Sequence, residues 1–141
     1  MVRLIPALFT LLSAAAVSAA PATSADKTSQ PDAPAAAAAC VYTCGSVCYQ
    51  DAHIQAALNK GYSLHTAGNN IKNYPHRYNN YEGFDFPTAG PWYEFPIMAS
   101  HVVFAGGSPG ADRVVFDGRG ALDLLITHTG ATGNNFVACR A

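Results

Sequence analysis

Four ionisable side chains stand where the surrounding pattern calls for apolar ones. His76 lies in the alternation between Tyr74 and Tyr78, and Glu94 sits between Tyr93 and Phe95. Arg113 precedes Val114-Val115-Phe116, and His128 follows Leu124-Leu125-Ile126-Thr127. Taken singly, such a residue is most often solvated or structurally paired. Two His, one Glu and one Arg on four separate strand-like segments are the set that phosphodiester chemistry uses. That chemistry needs a base, an acid and a cation beside the phosphate. Side chains alternate across a sheet, so a suitable register would bring all four to one face.

A second group surrounds the first of these residues. The stretch Tyr74–Phe86, YPHRYNNYEGFDF, holds five aromatic rings, two adjacent Asn, one His and one Glu. It has no helical period. Tyr74, His76 and Tyr78 alternate like one face of a strand, and Asn79-Asn80 break the alternation because Asn tolerates turn and left-handed conformations. A strand ending in a polar turn between Tyr78 and Tyr81 reads either as an aromatic edge strand with a polar turn or as a slot in which a base can stack. The N–H groups of such a turn can donate to the carbonyl and ring-nitrogen acceptors of guanine. A carboxylate such as Glu82 can accept from its imino and amino donors.

These residues need a scaffold, and the chain supplies one helix and several strands. Tyr49–Ala67 has Ile54, Ala57, Leu58, Gly61 and Leu64 on one face at helical spacing, with Asp51 as N-cap or first-turn acid and Gly68-Asn69 ending it. His53 and His65 fall on its surface and receive no role. Strands are expected at Trp92–Ile97, His101–Ala105, Gly110–Asp117, Ala121–Thr129 and Asn135–Cys139. The connectors PTAGP, GGSPG, DGRG and TGATGNN are turn-like. One helix followed by a run of strands predicts an α+β domain with the helix packed on an antiparallel sheet. GGSPG is not a phosphate-binding loop, since no helix-forming segment follows it. It reads as a turn that delivers Arg113 to its strand. Ser108 lacks the nucleophile-elbow pattern.

The N-terminal part has a different composition. Residues 1–20 read as a secretory signal, with Arg3 at the start, an apolar run too short to span a bilayer, and small residues to Ala20. Residues 21–38, rich in Ala, Pro, Ser and Thr, read as a propeptide or disordered leader. No dibasic site marks its end, and a mature start near Ala39 is expected. Residues 39–141 suffice for one small domain with 6 Lys/Arg against 7 Asp/Glu, so a broad cationic face for polyanions is missing. All four cysteines lie here: Cys40, Cys44, Cys48 and Cys139. Export makes two disulfides the natural reading, with three pairings possible. A metal site is the rival reading, but the spacing of four and the lack of a clustered His argue against it.

The ordered segments ACVYTCGSVCY, YPHRYNNYEGFDF, WYEFPI, GGSPGADRVVF and THTGATGNNFVAC together resemble the small fungal guanyl-specific ribonucleases, the ribonuclease T-one family. The resemblance spans Ala39–Cys139. It implies a secreted, monomeric endonuclease that cuts single-stranded RNA after guanosine, with no metal, cofactor, DNA or membrane involved, on one helix packed against a curved antiparallel sheet. It implies catalytic roles for Tyr74, His76, Glu94, Arg113, His128 and Phe136. It implies a guanine site of Tyr78, Asn79, Asn80, Tyr81, Glu82 and Asn134. It also implies disulfides Cys40–Cys48 and Cys44–Cys139, and cis bonds at Tyr74–Pro75 and Gly90–Pro91. Whether Glu94 or His76 is the base stays open at this level. The alternatives are a ribotoxin-like or purine-preferring relative, for which the long basic loops are missing, and a non-catalytic RNA-binding secreted effector. Such an effector would be expected to lose residues that are all present here.

Overall fold

A computed structural model describes residues 38–141, so the expected signal and leader segments lie outside the described residues. An N-terminal hairpin, β1 (Tyr42–Cys44) and β2 (Val47–Tyr49), leads into helix α1 (Asp51–Thr66). A five-stranded sheet follows: β3 (His76–Tyr78), β4 (Trp92–Pro96), β5 (Asp112–Asp117), β6 (Leu122–Thr127) and β7 (Val137–Ala138). The strands lie in sequence order, each antiparallel to the next. This is the expected α+β arrangement. Both disulfides pair as the resemblance implied, Cys40–Cys48 and Cys44–Cys139. The Tyr74–Pro75 and Gly90–Pro91 peptide bonds are cis.

The helix starts later than its apolar pattern suggests, because Tyr49 belongs to β2 and is fully buried. Gln50, not Asp51, is the N-cap. Its backbone N–H donates to Nδ1 of His53 at 3.3 Å, so His53 closes a capping box. Asp51 remains the acid of the first turn. Ile54, Ala57, Leu58 and Gly61 are buried against the sheet. Gly61 is required there: a Cβ at this position would stand 2.8 Å from Phe95 Cβ.

Strand alternation then sorts the side chains. Phe95, Val114, Phe116 and Leu125 turn toward the helix and build the larger core with Ile54, Ala57 and Leu58. Each is fully buried, contributing about 1.5–3 kcal/mol of hydrophobic stabilisation. Tyr78, Val115 and Ile126 belong to a second cluster, joined by Phe84, Phe86, Trp92, Leu124 and Phe136. The sheet therefore has a helix-covered face and a face left for a site.

The segment His101–Ala105 is a loop, not the expected strand. His101 has φ 62° and its N–H closes a turn on the Met98 carbonyl at 2.8 Å. Val102 and Val103 are both exposed and only Phe104 is buried, so the segment has no alternating faces. Its β-branched composition was overridden by the absence of a ladder partner.

Candidate active site

The register brings the four outlying side chains to one face. His76 pairs with Glu94 and Glu94 with Val115, which puts Arg113, two residues before Val115, on the same side. Arg113 pairs with Ile126, and His128 follows Ile126 by two residues, its N–H held by the Ala111 carbonyl at 3.0 Å. The register between strands, which alternation within each strand does not fix, is what joins them, and it buries Glu94 and Arg113 at 7% and 3% exposure.

Glu94 lies between two cations. His76 Nε2 is 2.6 Å from Glu94 Oε1, and Arg113 Nε is 3.4 Å from Glu94 Oε2. His76 Nδ1 is 3.0 Å from the Asn73 carbonyl. The Asn73 carbonyl only accepts, so Nδ1 of His76 donates. As the imidazolium, His76 also donates from Nε2 to Glu94. The Glu94 hydrogen bond raises the His76 pKa above its ordinary value; burial opposes the rise, and the Glu94 charge and Asn73 carbonyl assist it. Glu94 Oε2 and Arg113 Nε make no hydrogen bond within the protein.

Arg113 is held in place by backbone. Its Nη1 donates to the carbonyls of Pro109, Gly110 and Asp112 at 3.2, 3.0 and 2.9 Å, so the GGSPG turn holds the guanidinium as well as delivering it. Nη2 donates to the Tyr74 hydroxyl at 3.1 Å, and the guanidinium carbon lies 5.1 Å from the Tyr74 ring centre. His128 is stacked on Phe136 with ring centres 3.8 Å apart, and its Nδ1 donates to the Asn135 carbonyl at 2.7 Å. That bond leaves Nε2 as the nitrogen available for proton transfer.

The second group builds the other end of the same cleft. Glu82 Oε2 accepts from the Tyr78 hydroxyl at 2.7 Å, and Oε1 accepts from the Phe136 N–H at 3.0 Å. Burial pushes the Glu82 carboxyl up, but the bonds from Tyr78, its own N–H and Phe136 together hold it below the usual carboxylate range. Burial and the bond to Glu82 push the Tyr78 hydroxyl far up. Tyr78 therefore does more than offer a ring: it is buried and buttresses Glu82. Tyr81 is 90% exposed. Asn80 adopts φ 54°, and its side chain clamps the backbone of Phe84, with bonds of 2.7 and 2.8 Å to the N–H and carbonyl. Asn79, Tyr81, Glu82 and Asn134 line a cleft of about 340 Å³ together with His76 and Glu94.

His76, Tyr78, Asn79, Tyr81, Glu82, Glu94, Asn134 and Phe136 thus line one cleft, whereas Arg113, Tyr74 and His128 stand behind it on Glu94, Arg113 and Phe136, and the Asn80 side chain turns to the Phe84 backbone. Asn73 and Asn135 were missed. They act through backbone carbonyls, which leave no mark on residue type. Among the described residues no three His, Cys, Asp or Glu side chains converge as a metal site would require.

A protein-family model described as ribonuclease matches residues 37–140. A guanyl-specific ribonuclease of Neurospora crassa is 58% identical over 154 residues, covering 99% of this chain and 99% of its own length. Guanyl-specific ribonuclease Pc of Penicillium chrysogenum is 61% identical over 101 residues, covering 72% of this chain and 99% of its own length. Among solved structures, a ribonuclease from Hericium erinaceus is 33% identical, with a TM-score of 0.53, over 70% of this chain and 97% of that chain.

Proposed function

Because the chain belongs to the family of the fungal guanyl-specific ribonucleases, we propose that it is an endoribonuclease that cuts single-stranded RNA on the 3′ side of guanosine. The observation that carries this reading is the Glu94 carboxylate between His76 and Arg113, in one cleft with the Glu82 slot. RNA brings its own nucleophile, the ribose 2′-hydroxyl, so no covalent side chain is needed. DNA lacks that hydroxyl and is not a substrate.

Glu94 is the general base. The Glu94 hydrogen bond raises the His76 pKa, and an imidazolium donating at both nitrogens has no lone pair to offer, which favours the carboxylate over the imidazole. The imidazolium holds Glu94 and orients the hydroxyl. His128, protonated at Nε2, donates to the departing 5′-oxygen. Arg113 offsets the charge growing on the phosphoryl oxygens, and the Tyr74 hydroxyl assists. Phe136 stacks on His128 and forms an apolar wall. The first product is a 2′,3′-cyclic phosphate. Hydrolysis to the 3′-phosphate then exchanges the acid and base roles.

For recognition, guanine lies between the exposed Tyr81 and the floor over Tyr78. Glu82 accepts from its imino and amino groups. Backbone groups around Asn79 and Asn80 meet its acceptor edge, and Asn134 closes the far wall. The expected export signal at 1–20 and the two disulfides fit a secreted protein. Among the described residues no helix is long and apolar enough to cross a membrane.

The test is cleavage of four homopolymer RNAs, guanosine- and adenosine-containing dinucleotides and a DNA control in the presence of a chelator. Cleavage after guanosine with cyclic-phosphate ends and intact DNA is the expected result. Cleavage indifferent to the base, or abolished by the chelator, overturns the reading.

A further inference from the structure

Segment 79–91 carries most of the recognition residues, yet it contains neither helix nor strand. Its first half is pinned by the Asn80 clamp on Phe84. Its second half is tied at its end by the Gly118 N–H, which donates to the Pro91 carbonyl at 3.1 Å, and in its middle by a buried carboxylate. Asp123 is 8% exposed and lies at the bulge where the β5–β6 register shifts. Its Oδ1 accepts from the Thr88 N–H at 3.1 Å and its Oδ2 from the Thr88 hydroxyl at 3.0 Å. The same hydroxyl oxygen accepts the indole N–H of Trp92 at 3.0 Å.

A continuous path leads from there to the base slot. The Trp92 ring meets Phe86 edge-on at 5.0 Å, Phe86 packs on Tyr78 at 6.0 Å, and the Tyr78 hydroxyl holds Glu82 at 2.7 Å. Both hydrogen bonds to Asp123 come from Thr88, and no cation pairs with it among the described residues. Burial holds its carboxyl above the usual range, against the two Thr88 bonds and with help from the Asp117 charge. A buried carboxylate without a counter-ion destabilises a fold relative to a well-packed apolar pair of the same size. What it supplies instead is direction. It fixes Thr88 in two hydrogen bonds, and Thr88 then fixes the indole.

Building on the guanine reading above, we propose that Asp123 is a positioning residue for base recognition, acting through Thr88 and Trp92 on the Tyr78–Glu82 slot without touching the substrate. The reacting groups are held separately. Glu94 and Arg113 sit in paired strands and His128 on the Ala111 and Asn135 carbonyls. Loosening the anchor should therefore weaken guanine binding and spare the chemical step.

The experiment compares Asp123→Ala, Asp123→Asn and Thr88→Val in the full chain, using guanosine- and adenosine-containing dinucleotides. Trp92 is the only tryptophan of the chain, so its emission reports on the anchor directly. The expected result is a KM for the guanosine dinucleotide raised roughly 3- to 30-fold, the range for residues that act through others. The kcat stays within about twofold, adenosine cleavage is unchanged, and the Trp92 emission shifts. Asp123→Asn lies between wild type and alanine, because its amide oxygen still accepts the Thr88 N–H. Adding Asp123→Ala to Thr88→Val changes KM little further, since both break one chain. Unchanged KM in folded variants overturns the inference, as does an equal loss for both dinucleotides. If Asp123→Ala does not fold, the near-isosteric Thr88→Val decides by the same criteria. A wild-type enzyme without guanine preference would sink the functional reading instead, so the two failures are distinguishable.

Discussion

Replacing Glu82 by alanine removes the carboxylate that meets guanine's donor edge and would face an acceptor of adenine. Guanine presents two parallel donors to the carboxylate, whereas adenine presents an acceptor where guanine has its ring N–H. Two hydrogen bonds to a charged acceptor are worth about 1.5–3 kcal/mol each. The free enzyme already satisfies the same oxygens with the Tyr78 hydroxyl at 2.7 Å and the Phe136 N–H at 3.0 Å, so part of that gain is exchange. A net loss of about 2–4 kcal/mol follows, or roughly 30- to 1,000-fold in the ratio of guanosine to adenosine cleavage. The assay is kcat/KM on the two dinucleotides for wild type and Glu82→Ala. The pH dependence gives a second check. The Glu82 carboxyl is held below the usual range, so its ionised form persists as pH falls through the ordinary carboxylate value of about 4.3. The guanine preference should survive that fall and fade only below it. A ratio unchanged by Glu82→Ala would mean that other groups read the base, and the account of this slot would be wrong.

His128→Ala should lower kcat by about 10²- to 10⁴-fold while thermal unfolding remains cooperative, and near-wild-type turnover would remove His128 from the chemistry. If His76 acts as a cation that donates twice, His76→Lys should retain more activity than His76→Ala, and equal losses would argue against that role. The raised His76 pKa also has a stability consequence. Its contribution is fully present below the unfolded value of about 6.5 and is lost as pH rises through the higher folded value, so the wild-type melting temperature should fall over that interval more than that of His76→Ala. Cys44–Cys139 closes a separation of 95 residues and Cys40–Cys48 one of 8, so the chain-entropy model assigns about 5 and about 2.5 kcal/mol. Calorimetry should find removal of the first the more damaging, and the reverse order would show that the long loop stays compact when unfolded.

Much of the site was legible before any coordinate. Residue types in a period of two marked His76, Glu94, Arg113 and His128 as outliers that a suitable register would bring to one face, because alternation is a property of the strand itself, and the closed sheet supplied that register. The helix face of Ile54, Ala57, Leu58 and Gly61 was equally local, and so was the Asn79-Asn80 turn. What the tertiary structure decided was each group's partner. Three cysteine pairings were open until the hairpin and the C-terminal strand came together. The double donation by His76 depends on the Asn73 carbonyl, and the free nitrogen of His128 on the carbonyl of Asn135. Glu82 takes a backbone N–H from Phe136, 54 positions away, and Thr88 reaches Asp123 across 35. The loop at His101–Ala105 failed as a strand for the same reason: its composition is local, but a strand needs a neighbour. Side-chain type and spacing carry short-range geometry. A hydrogen bond to a distant carbonyl or amide exists only once the chain has closed on itself, and the backbone group that makes it has no letter in the sequence.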